Sequence, residues 1–117
     1  ILMDDCIFCK IVKGEIPSDN VYEDDNFIVI KEIKPVVDNH CLIISKKHFK
    51  NLLDAPTTIY SEFLDAAKKL ALKFIDEKNA EGFNLHMNNF EVAGQLVPHL
   101  HMHFLPRKKE DGFHPCA

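Results

Sequence analysis

The sequence predicts an α+β fold: a five-stranded antiparallel sheet with one long helix on one face and a short N-terminal helix. Three observations predict it. Apolar residues recur at helical spacing in two places, briefly near the N-terminus and at length from Pro56 to about Lys78. Runs with strand character flank the long stretch, three before it and two after. One long helix cannot cover both faces of a parallel sheet, which leaves an antiparallel one.

The elements follow in order. In CIFCKIVKGEIPS, Ile7, Phe8, Ile11 and Val12 have helical spacing, stopped by Gly14 and Pro17. VYE and FIVIKEI are short β-rich runs, and Asp24-Asp25-Asn26 between them suits a hairpin turn. HCLIIS is apolar enough for a buried central strand. From Pro56 onward, Ile59, Phe63, Ala67, Leu70 and Phe74 form the apolar stripe, with Glu62, Asp65, Lys69 and Lys73 off it. In GFNLHMNN the period is two again: Phe83, Leu85 and Met87 face one way, Asn84, His86 and Asn88 the other. FEVAGQLV reads as a loop, and Pro98 to Leu105 as the last strand, stopped by Pro106.

Length and charge bound the function. A chain of 117 residues fits one domain spanning residues 1–117. The formal net charge of −4 argues against binding long nucleic acids, which needs a broad basic surface. No apolar run reaches the ~18 residues of a membrane span, and the start shows no signal-peptide pattern. A cytoplasmic home is expected. Ile1 and Leu2 precede Met3 and read as an extension ahead of the native start. In such a compartment Cys6-x-x-Cys9 is a metal or redox pair more often than a disulfide, with core packing on a helix as the alternative. Cys41 reads as core and Cys116 as a free surface thiol.

The stretch PHLHMHFLPR is the least ordinary. Alternation on a strand puts His99, His101 and His103 on one face, and Leu100, Met102 and Phe104 on the other. Three readings fit a row of imidazoles: surface residues by chance, a three-histidine metal site, or nucleophilic chemistry on phosphorus. Neutral and charged imidazoles coexist near neutrality, so one ring can attack while a neighbour binds phosphate or donates a proton.

The chain resembles the histidine triad (HIT) superfamily, whose signature of three alternating histidines followed by apolar residues reads HLHMHFL here. The resemblance runs almost end to end, through CIFCKIVKGEIPS, VYEDDNFIVIKEIKP, HCLIISKKH, NLHMNN and AGQLVPHLHMHFLPR. It implies a nucleotide hydrolase or nucleotidyl transferase acting through His101, which attacks the α-phosphorus to give a covalent nucleotidyl-histidine that water then hydrolyses. It also implies that the His99 carbonyl holds the other ring nitrogen of His101, that His103 contacts phosphate and assists the leaving group, and that His40 lies near the nucleophile. Asn88 and Gln95 would donate to phosphate oxygens, and Gly94 would let the backbone approach. Ile7, Phe8 and Ile11 would form the pocket for a purine base, with core packing an equal reading for Ile11. Glu32 stands where many relatives carry a ribose-binding Asp. His86 and His114 receive no role.

The resemblance extends to a structural zinc held by Cys6, Cys9, His48 and His99, which would leave His101 free to attack, and to a homodimer with joined sheets and packed long helices. One departure matters. Leu96 stands where the purine-nucleoside phosphoramidase branch usually carries Ser or Thr, and leucine cannot donate to a leaving group. That favours dinucleoside polyphosphates or other nucleotide conjugates over phosphoramidates. Two further readings are a nucleotide-binding regulatory module with weak activity, and nucleotidyl transfer as in the related uridylyltransferases, which are larger and carry Gln in the triad.

Overall fold

The computed structural model describes residues 5–114. Ile1, Leu2, Met3 and Cys116 lie outside them. The elements are α1 (Ile7–Val12), β1 (Asn20–Glu23), β2 (Phe27–Lys31), β3 (Cys41–Ser45), α2 (Ile59–Asp76), β4 (Gly82–His86) and β5 (His101–Arg107). All strand pairs are antiparallel, in the spatial order β1-β2-β3-β5-β4. This is the α+β architecture expected from the patterning. No helix among the described residues is long and apolar enough to cross a membrane.

Alternation along the three central strands divides the core in two. Phe27 and Val29, Cys41 and Ile43, and Leu100 and Phe104 point toward α2, where they meet Phe63, Ala67, Leu70 and Phe74. Ile28, Ile30, Leu42 and Ile44 point the other way, toward Phe8 and Ile11 of α1. Both faces of β2 and β3 are thereby buried, which is why those strands read as continuous apolar runs.

Local chemistry fixes the joints. Asp24 Oδ1 accepts from the amides of Asn26 and Phe27, closing the β1–β2 turn. Helix α2 ends with Asn79 N donating to Phe74 O and Lys78 N to Ile75 O, a Schellman closure that places Lys78 at φ 61°. Cys6 caps α1 by accepting the Cys9 amide on its sulfur at 3.4 Å, so one helical turn aims both sulfurs at the same point.

The last strand differs from its expected span of Pro98 to Leu105. It runs from His101 to Arg107, and Pro106 does not stop it. The Arg107 carbonyl accepts from Glu81 N on the β4 side, so Pro106 turns its nitrogen to the opposite side. Pairing with β3 has already ended there, at Phe104, and a missing donor at an edge costs nothing. Before His101 the chain bonds elsewhere, Leu100 N donating to Phe49 O.

Candidate active site and metal centre

Strand β5 carries His101 and His103 on the α1 face, and His99 enters just before it. His101 donates its Nδ1 hydrogen to the His99 carbonyl at 2.6 Å. That bond sets the tautomer and leaves Nε2 with a lone pair. Burial lowers the pKa of His101, so the ring is held neutral. Phe8 packs edge-on against it, with centroids 5.0 Å apart.

His103 belongs to a relay of its own. Val36 N–H donates to His40 Nδ1 at 3.2 Å, so His40 carries its hydrogen on Nε2. His40 Nε2 in turn donates to His103 Nδ1 at 2.9 Å, which leaves the hydrogen of His103 on Nε2, a donor. Burial, reinforced by the neighbouring histidines, lowers the pKa of His103 to about 4, and burial also lowers that of His40. The pair therefore presents a lone pair on His101 next to an N–H on His103, with ring centroids 5.5 Å apart.

Both rings line a cavity of about 330 Å³. Its apolar end is Ile7, Phe8, Ile11, Ile30 and Leu42; its rim includes Glu32, Asn88, Gly94 and Leu96. A second cavity, of about 360 Å³, opens beyond His103 between the β4–β5 face, the β2–β3 loop and Phe113. His103 and Asn88 line both cavities.

The other side of His99 faces the cysteines. His99 Nε2 donates to the Ser45 carbonyl at 2.6 Å, which turns the Nδ1 lone pair inward. There it meets Cys6 Sγ at 3.3 Å, Cys9 Sγ at 3.5 Å and His48 Nδ1 at 3.1 Å, while Cys9 Sγ lies 3.2 Å from His48 Nδ1. Tetrahedral nitrogen and sulfur ligands at zinc distances stand roughly 3.3–3.8 Å apart, so the four atoms lie close enough to share a single ion. Alone, the cluster is poorly charged: burial, then Cys6, pushes the Cys9 thiol up to about 11, and burial takes His99 down to about 4. A bound cation inverts that balance by stabilising thiolates.

Glu32, His40 and His103 also come within ligand distance of one another. They do not make a comparable set. The Val36 amide occupies His40 Nδ1, so His40 Nε2 keeps its hydrogen and cannot offer a lone pair.

A family model described as the HIT domain matches residues 13–110. This chain belongs to the HIT family. An adenosine 5'-monophosphoramidase of Candida albicans is 43% identical over 110 residues, covering 90% of this chain and 72% of that protein. The structure of SMU.412c from Streptococcus mutans aligns with a TM-score of 0.91 at 38% identity, covering 99% of this chain and 74% of that one. A zinc-bound histidine triad family protein from Mycobacterium smegmatis aligns with a TM-score of 0.88 at 33% identity, covering 94% and 80% respectively.

In this HIT-family chain, Ile7, Phe8, Ile11, Glu32, Asn88, Gly94, His101 and His103 all line the 330 Å³ cavity. Gln95, expected as a phosphate donor, does not line it. Its Nε2 donates to Lys50 O and Val97 O, its Oε1 accepts from Phe90 N, and no donor is left over. Gln95 instead clamps a loop in which Phe90 sits at φ 74°, a conformation that needs such support. Leu96 is 89% exposed at the cavity rim. Three contributors escaped the sequence reading: the Ser45 carbonyl, the Val36 amide and His86. The first two are main-chain groups without a side-chain signal. His86 shares a face with Asn88 by alternation, but its position opposite His103 depends on the β4–β5 register.

Proposed function

We propose that this HIT domain hydrolyses nucleotides at the α-phosphate through a covalent nucleotidyl-His101. The observation that carries the reading is the 2.6 Å bond from His101 Nδ1 to the His99 carbonyl, which leaves Nε2 as a neutral nucleophile at the cavity. A purine base packs against Ile7, Phe8 and Ile11, and the ribose lies near Glu32. His101 Nε2 bonds to phosphorus as the bond to the leaving group breaks. His103, donating from Nε2, binds the departing atom, which leaves with the electron pair. Asn88 offers an N–H to a phosphate oxygen; one preorganised donor of this kind contributes about 3–4 kcal/mol to barrier lowering. Water then attacks phosphorus, the pair of the broken P–N bond returns to His101, and the proton that the water gives up is taken up by the departed leaving group or by solvent.

The leaving group is either a second nucleotide, as Leu96 suggests, or an amine. One observation favours the amine, a phosphoramidase reading: among the described residues no Lys or Arg lines the cavity beyond His103, where a polyphosphate would need cations. The Candida relative's name supports the same reading.

Zinc on Cys6, Cys9, His48 and His99 has a structural role: when bound it supplies the charge that keeps the thiolates and ties α1 to β5. His99 N–H holds to Ser45 and its carbonyl to His101. The exposed Phe83 and Leu85 on edge strand β4, with Tyr60, Leu64, Leu72 and Ile75 on α2, support a homodimer.

The test is a panel of adenosine phosphoramidate, dinucleoside tri- and tetraphosphate and nucleotidyl sugars, assayed with wild type and His101→Asn. The reading expects wild-type turnover, and a variant that binds nucleotide without turnover. Turnover by His101→Asn, or a nucleotide trapped on another side chain, overturns it. Absence of wild-type turnover with retained binding supports the regulatory-module alternative.

A further inference from the structure

We infer that His86 is a positioning residue that fixes which way round the Asn88 amide faces the phosphate. The inference rests on the proposed hydrolase reading, in which Asn88 offers an N–H. A terminal amide has a donor end and an acceptor end of nearly the same shape. At an anion site only the donor end helps, and rotation by half a turn would present an oxygen to an oxygen. Something must therefore break the symmetry.

Two contacts do so. His86 Nε2 donates to Asn88 Oδ1 at 2.7 Å. Asn88 Nδ2 donates to the Gly94 carbonyl at 3.3 Å. Together they occupy the amide oxygen and one amide hydrogen, leaving the second hydrogen for a ligand. Gly94 stands close: a Cβ there would lie 3.3 Å from Asn88 Nδ2, and its φ of 92° suits glycine. The Gly94 contact alone would not hold the amide, because Gly94 lies in the exposed loop after Phe90. His86 is on β4, in register with His103, and its ring lies 5.9 Å from that of His103. The donor is thus built on the sheet that carries the nucleophile. Only the Nε2 hydrogen is used, so any side chain offering an N–H at that point does the same work.

The experiment compares His86→Phe, which keeps a ring without a donor, with His86→Gln, which restores one, each alone and on an Asn88→Ala background. The expected result is a kcat/KM at least tenfold lower for His86→Phe, mostly in kcat, and within about threefold of wild type for His86→Gln. On the Asn88→Ala background His86→Phe should have no further effect, since the two act as a unit. In ¹⁵N spectra the separation of the two Asn88 side-chain amide protons should move toward that of a free, solvated amide in His86→Phe and stay at its wild-type value in His86→Gln. Wild-type activity in His86→Phe, equal losses in Phe and Gln variants, or a full His86→Phe loss on Asn88→Ala overturns the inference. A different result, no effect of Asn88→Ala alone with His101→Asn inactive, removes Asn88 from the chemistry and leaves the nucleophile standing. Thermal melts of each variant separate these outcomes from misfolding, and an unfolded Phe variant is replaced by His86→Leu.

Discussion

In protein loaded with zinc at the Cys6, Cys9, His48 and His99 cluster, removing the metal should release α1 before it melts the sheet. Helix α1 has six residues, far below the ~12–15 at which an isolated helix begins to persist. Phe8 and Ile11 are 6% and 8% exposed, and burying each contributes roughly 1.5–3 kcal/mol, about 3–6 kcal/mol together. Ordering the chain from Cys6 to Gly14 costs about 1–2 kcal/mol per residue, roughly 9–18 kcal/mol in all. A structural zinc contributes on the order of 10–16 kcal/mol, which brings the segment within a few kcal/mol of balance. Without it the segment falls short by about 6–12 kcal/mol on the same figures. The assay is hydrogen exchange by mass spectrometry on zinc-loaded protein, after chelation, and after zinc is restored. The amides of α1 should lose protection on chelation while α2, β2 and β3 keep theirs, and zinc should reverse the change. Two results refute the reasoning: α1 protected as before in protein shown by metal analysis to be zinc-free, or protection lost everywhere at once.

Three further outcomes are expected. The pKa of His103 is lowered to about 4, below its ordinary 6.5, so its contribution to stability is complete above pH 6.5 and is lost as pH falls toward 4, where the unfolded chain takes up the proton first; urea midpoints across that window should fall less steeply for His103→Asn than for wild type. Lys78→Gly relieves a left-handed lysine at the end of α2 and should add up to about 1 kcal/mol, seen as a melting temperature a few degrees higher. Leu96→Ser, at a position 89% exposed, should leave stability within about 0.5 kcal/mol and raise phosphoramidate turnover; an unchanged or lower rate would show that the rim hydroxyl is not what the phosphoramidase branch uses.

Much of this fold is legible in alternation. Phe27 and Val29 against Ile28 and Ile30 already sort the two faces of β2, and the Ile59 to Phe74 stripe marks the buried side of α2. What the sequence does not carry is register and main-chain direction. Pro106 looks like a strand end until β3 is seen to finish at Phe104. Gln95 looks like a free amide until its loop folds back and uses every donor it has. His86 looks idle because its partner in space, His103, comes from a strand on the far side of a loop. The triad itself was readable because strict alternation on a strand is a geometric statement as well as a compositional one.

Position 99 divides its labour between two parts of one residue. Its ring serves the sulfur cluster, while its carbonyl, common to all twenty amino acids, steadies the ring two places on. The two duties are therefore separable by mutation. A descendant could trade the imidazole for a filler of similar bulk, lose the four-ligand cluster, and still hold the ring at 101 in place, provided other packing took over the anchoring of the first helix.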